Sequence, residues 1–160
     1  MELNHTHDAN TRSWLASANA AGADFPIQNL PFAVFRRAGG SEVFRGGVAI
    51  GDQAVDLAAL ARAGVLNGVS AQAANAGAQD ALNDFFALGP SAWSALRHAL
   101  FELLQTGASE AGVDAVRNSL APLAEVEYKV PTRIGDYTDF YTSIHHARAM
   151  WAASRDRTIR

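Results

Sequence analysis

Between residues 24 and 57 the chain is cut into pieces too short for anything but strands and tight turns. That punctuation limits the fold more than any other feature. Asp24-Phe25-Pro26-Ile27-Gln28-Asn29-Leu30-Pro31 holds two prolines, which forbid helix and bias their predecessors to extended geometry. Phe32-Ala33-Val34-Phe35 then reads as a strand and Ala38-Gly39-Gly40-Ser41 as a turn. Residues 42–50 read as a second strand, in which Gly46-Gly47 predicts a bulge or bend. Gly51-Asp52-Gln53 is a tight hairpin into Ala54-Val55-Asp56-Leu57. Short strands with glycine corners predict a small, strongly bent barrel.

The middle of the chain has helical character. Residues 57–63 predict a short helix stopped at Gly64, and the alanine-rich stretch 70–86 predicts one or two more. Pro90 suits the first turn of a helix whose apolar stripe is Trp93, Leu96, Leu100, Phe101, Leu103 and Leu104, closed by Gly107. His98 rides on that helix as a packed or surface histidine. Residues 126–130 read as a strand leading to Pro131, and from Ile134 the composition shifts as if a second domain begins. The fold class expected is α+β.

Composition removes several functions. Apolar residues make up 49% and charged residues 18%, the balance of a globular core. A net charge of −3 with no basic stripe gives no basis for nucleic-acid binding. The absence of cysteine excludes disulfides, zinc–thiolate sites and a thiol nucleophile. Residues 1–12 are polar, carry His5 and His7, lack the apolar run of a signal peptide, and read as a flexible, solvated tail. No stretch approaches a membrane span, and a cytoplasmic location is expected.

The chemistry concentrates at 134–147, Ile134-Gly135-Asp136-Tyr137-Thr138-Asp139-Phe140-Tyr141-Thr142-Ser143-Ile144-His145-His146-Ala147. Asp136, Asp139, His145 and His146 can supply a hard-cation ligand and a base, because carboxylates suit Mg²⁺ or Ca²⁺ and a neutral imidazole accepts a proton. The same residues admit a plainer reading, in which Asp-x-x-Asp caps a helix and the tyrosines pack a core.

Ser13-Trp14, Ser17-Ala18-Asn19, residues 24–32, Gly47-Val48-Ala49-Ile50-Gly51-Asp52, Asp56-Leu57 and residues 134–147 together resemble fumarylacetoacetase. The resemblance implies an SH3-like β-barrel over 13–131, followed by the start of a β-rich catalytic domain at 132–160. The N-terminal block separates this family from diketone hydrolases and decarboxylases that share only the later domain. The family hydrolyses a carbon–carbon bond of 4-fumarylacetoacetate, giving fumarate and acetoacetate, in tyrosine and phenylalanine catabolism. Its motif puts a divalent-metal ligand on Asp139, a substrate contact on Tyr141 and the general base on His146. It implies Ca²⁺ or Mg²⁺ as cofactor and a small diketo acid as substrate. The family forms homodimers through the catalytic domain, an assembly not expected of this chain.

After Ala147 the family pattern, which runs on as Thr-Asn-Val-Gly, is not followed. Met150 and Trp151 each have a single codon, and the frame offset to the third codon base can encode Asn, Val and Gly there. Residues 148–160 are therefore expected to be out-of-frame translation, and the chain to be a truncated fragment without hydrolase activity of its own. The alternative is a free-standing binding or assembly module built on the N-terminal domain.

Overall fold

The computed structural model describes residues 3–155, and the side chains of residues 3–153. Five strands form one antiparallel sheet: β1 (Phe32–Arg37), β2 (Arg45–Ile50), β3 (Gln53–Asp56), β4 (Leu120–Pro122) and β5 (Val126–Lys129). Their order is β4-β3-β2-β1-β5, so the two strands last in sequence occupy opposite edges. Only the 3-10 turn Leu123–Glu125 joins those edges. A flat five-stranded sheet would separate its edges by about 19 Å, whereas this link can span at most about 14 Å. The sheet must curl. The link is fastened at both ends, by the Leu123 amide to the Asp52 carbonyl at 2.9 Å and the Ala38 amide to the Glu125 carbonyl at 2.9 Å.

The helices α1 (Leu57–Arg62), α2 (Gly68–Gly77), α3 (Asn83–Ala87), α4 (Pro90–Leu104) and α5 (Glu110–Arg117) are inserted between β3 and β4. Asp56 caps α1 by accepting the Ala59 amide at 3.0 Å, and Ser109 caps α5 by accepting from Gly112. Pro90 opens α4, as expected from its fixed φ. The apolar face of α4, Ala92, Leu96, Leu100, Phe101 and Leu104, is buried, and α4 packs on α2 and α5. Trp93, expected in that stripe, lies at its edge and donates its indole N–H to the Phe85 carbonyl at 2.9 Å.

Strand alternation divides the core. Val48, Ile50 and Val55 face the helices and meet Leu57, Leu60, Phe85 and Leu96, while Phe35, Ala54 and Ala121 fill the inside of the curl with Leu123 and Val126. A ring such as Phe35, fully buried, contributes about 2–3 kcal/mol through removal from water.

Gly46-Gly47 makes no bulge. β1 and β2 keep an unbroken register through Val34↔Gly46 and Ala33↔Gly47. The glycines instead admit close neighbours. A β-carbon on Gly46 would stand 1.6 Å from the Gly77 carbonyl oxygen at the end of α2, and one on Gly47 would stand 2.3 Å from the Phe35 ring.

Residues 4–12, expected to be solvated, lie along α4. Thr6 is fully buried, Arg97 donates to the Gln28 carbonyl at 2.7 Å and to the Thr6 carbonyl at 3.5 Å, and the His5 ring meets the Phe101 ring edge-on. A polar segment folds here because the Arg97 guanidinium and Gln28 bind its backbone. Met1 and Glu2 of the expected tail, and 156–160 of the expected out-of-frame stretch, lie outside the described residues.

Beyond Lys129 the chain crosses the start of α3. Leu82 donates its amide to the Pro131 carbonyl at 2.8 Å, and the Asn83 amide group closes a two-bond clasp on the Arg133 backbone, at 2.8 and 3.0 Å. Asp80 accepts from Lys129 at 3.0 Å, which holds its carboxyl below the usual range. From there to α6 (Ile144–Arg155) the chain forms no helix or strand.

Candidate functional site

Asp139, Tyr141 and His146 border one open depression of about 620 Å³, together with Phe140, Thr142, Ser143 and Met150. Their convergence follows from local structure. The Ser143 carbonyl accepts the Ala147 amide, and its hydroxyl accepts the His146 amide at 3.4 Å. The first turn of α6 thereby folds His146 back over the segment that precedes it, with its ring 5.0 Å from that of Tyr141. The Asp139 carboxylate accepts from the Tyr137 hydroxyl at 3.1 Å.

The plainer reading of these residues fails. Ser143, not an aspartate, accepts from the first turn of α6, and Tyr137 and Tyr141 are 80% and 57% exposed rather than packed. Asp136 and His145 are exposed as well, and neither borders the depression. Ile134, Phe140, Ile144 and Trp151 also present apolar surface to solvent.

A hard divalent ion takes six or more oxygen ligands. Asp139 offers one carboxylate, and among the described residues no group of three or more His, Asp or Glu could hold a metal. These residues alone do not fit the ion. Nor does any side chain among them hydrogen-bond the His146 imidazole to fix its tautomer.

A second constellation escaped the sequence reading. Arg45 donates to Asp56 at 2.6 Å and to Glu42 at 2.8 Å, and its guanidinium lies over the Phe35 ring. Burial would lower the Arg45 pKa, but the bonds to Asp56 and Glu42 outweigh it and the net shift is upward. The arrangement ties β2 to β3 and to the cap of α1. No spacing rule links positions 45 and 56; only the hairpin register does.

The family described as fumarylacetoacetase N-terminal matches residues 28–131. The chain belongs to that family. Proteins named fumarylacetoacetase match beyond this core. The one from Oryza sativa subsp. japonica is 42% identical over 133 residues, covering 81% of this chain and 31% of its own length. That from Arabidopsis thaliana is 41% identical over 126 residues, covering 78% of this chain and 30% of its own. That from Homo sapiens is 36% identical over 141 residues, covering 86% of this chain and 33% of its own. A match over 86% of the chain does not fit within residues 1–131, so the similarity to the human fumarylacetoacetase runs past Pro131. The chain spans about a third of the length of these relatives. Among the described residues, no helix is long and apolar enough to cross a membrane.

Proposed function

We propose that the chain is the N-terminal region of a fumarylacetoacetase together with the first active-site segment of its catalytic domain. The reaction is hydrolysis of the carbon–carbon bond of 4-fumarylacetoacetate to fumarate and acetoacetate, in the cytoplasm. The observation that carries this reading is the meeting of Asp139, Tyr141 and His146 at one depression, just past a domain of this family.

In this reading residues 13–131 form an SH3-like barrel. Its support is the sheet order, with edge strands joined through a 3-10 turn. His146 takes a proton from the attacking water, since an imidazole within hydrogen-bond reach of water is a competent base near neutrality. Tyr141, whose ring lies tilted 5.0 Å from that imidazole, contacts the diketo acid beside the base. Asp139 would supply one hard oxygen toward a Ca²⁺ or Mg²⁺ ion completed by ligands beyond these residues, and such an ion would stabilise negative charge developing on the substrate oxygens.

The 160-residue chain on its own is proposed to be inactive. Its described residues offer too few metal ligands, and the imidazole base is exposed, with no side-chain hydrogen bond among those residues to fix its tautomer. The test is a purified-chain assay with fumarylacetoacetate and millimolar Mg²⁺ or Ca²⁺. No turnover above buffer is expected, whereas hydrolysis at an enzyme-like rate overturns the inactivity. The out-of-frame origin of 148–160 is decided by the coding DNA, where a long offset reading frame resembling the catalytic domain is expected.

A further inference from the structure

A cleft of about 650 Å³ lies between the N-terminal segment and α4, far in sequence from the chemistry at 139–146. Ser94, Arg97 and His98 border it from α4, and Asn4, His7 and Gln28 border it from the other side. The spacing of 94, 97 and 98 puts those three on one helical face. No carboxylate borders the cleft.

Arg97 is half-buried and has no acidic partner among the described residues, and burial holds its pKa below the ordinary value. Its Nε donates to the Thr6 hydroxyl at 3.3 Å, and its Nη2 donates to the Thr6 and Gln28 carbonyls. Those bonds explain two of its three nitrogens as structural pins. Nη1 makes no hydrogen bond among the described residues. The same holds for both ring nitrogens of His98, for the Ser94 hydroxyl and for His7 Nε2, whose ring engages Asn4 through Nδ1. A guanidinium and three further polar side chains, from Ser94, His98 and His7, thus border one cleft. An oxyanion lodged in the cleft would take charge-assisted hydrogen bonds from such groups, the strongest kind available to them.

We propose that this cleft is a binding site for the oxyanion group, phosphate or carboxylate, of a small molecule. The volume of about 650 Å³ leaves room for a molecule attached to that group. The site is built from the N-terminal segment, Gln28 and α4 and does not rest on the catalytic reading of 139–146.

The experiment titrates the full 160-residue chain with inorganic phosphate, and separately with acetate, at constant ionic strength set by chloride. NMR follows the side-chain signals of Arg97, His7 and His98. Saturable shifts confined to these residues are expected. A response to phosphate alone, or to acetate alone, identifies the group preferred; either supports the site. Arg97 also pins the fold, so the deciding variants are Ser94→Ala and His98→Gln, whose polar atoms make no internal hydrogen bond. His98→Gln should weaken binding about tenfold, the loss of one charge-assisted bond, with an unchanged Tm. The proposal is overturned if neither anion gives a saturable shift. It is equally overturned if both variants bind like the parent, or if exposed arginines such as Arg12 and Arg37 shift in parallel.

Discussion

Gly46 in β2 lies directly beneath the carbonyl of Gly77, the last residue of α2, so that a β-carbon on Gly46 would come within 1.6 Å of that oxygen. The helical layer sits on the sheet through this contact between two backbones. Gly46→Ala must therefore push α2 off β2. We predict a loss of at least about 3 kcal/mol, at or beyond the upper end for overpacking. Gly40→Ala, whose nearest neighbour would be the Arg37 carbonyl at 3.4 Å, should change stability by less than about 0.5 kcal/mol. Urea denaturation of both variants checks the contrast.

The Arg45–Asp56 pair is largely shielded from solvent, with side chains 15% and 12% exposed. Asp56→Ala leaves the guanidinium without its main partner and uncaps α1, and should cost about 3 kcal/mol. Asp56→Asn keeps an oxygen for the Ala59 amide and should cost about 2 kcal/mol. Equal losses for the two variants would show that the cap contributes nothing.

Asn83 copies a strand partner for Arg133 with its side-chain amide. Asn83→Ala should free the chain at Arg133 while leaving the core intact. Tryptic cleavage after Arg133 is expected to speed up several-fold, with a stability loss of about 1 kcal/mol. Unchanged cleavage kinetics would mean that the Leu82–Pro131 bond and Asp80 suffice.

Three carboxyls lie below their ordinary pKa: Asp52 through the Ser17 hydroxyl at 2.6 Å, Glu42 through Arg45, and Asp80 through Lys129. A depressed carboxyl contributes stability above its unfolded pKa and loses it as pH falls through the folded value. Their contribution should be constant from pH 7 to 5 and decline below about pH 4. Ser17→Ala should move the Asp52 titration, followed by NMR, up toward the ordinary carboxylate range. An unmoved titration would contradict the assigned cause.

Much of the sheet was legible because proline and glycine act locally. Pro26 and Pro31 exclude helix, and Gly51-Asp52 turns β2 into β3. Gly46-Gly47 was misread as a bend because what it accommodates, Gly77 and Phe35, is remote in sequence. Strand β4 is three residues long and ends in Pro122, too brief for any periodicity, and α5 carries Gly112 in its interior. The polar segment 4–12 gave no sign of folding, since its anchors, Arg97 and Gln28, lie on other elements. At the site, sequence brought Asp139, Tyr141 and His146 within eight positions. It did not reveal that Ser143 caps α6 and turns His146 toward Tyr141.

The most direct test is a chimaera in which residues 1–147 replace the corresponding portion of the Oryza sativa fumarylacetoacetase, assayed for fumarylacetoacetate hydrolysis. An active enzyme is expected, with kcat falling at least about a hundredfold in His146→Ala, as for loss of a general base, and metal affinity falling in Asp139→Ala. A folded chimaera that is inactive, or one whose activity survives both substitutions, would contradict the proposed function.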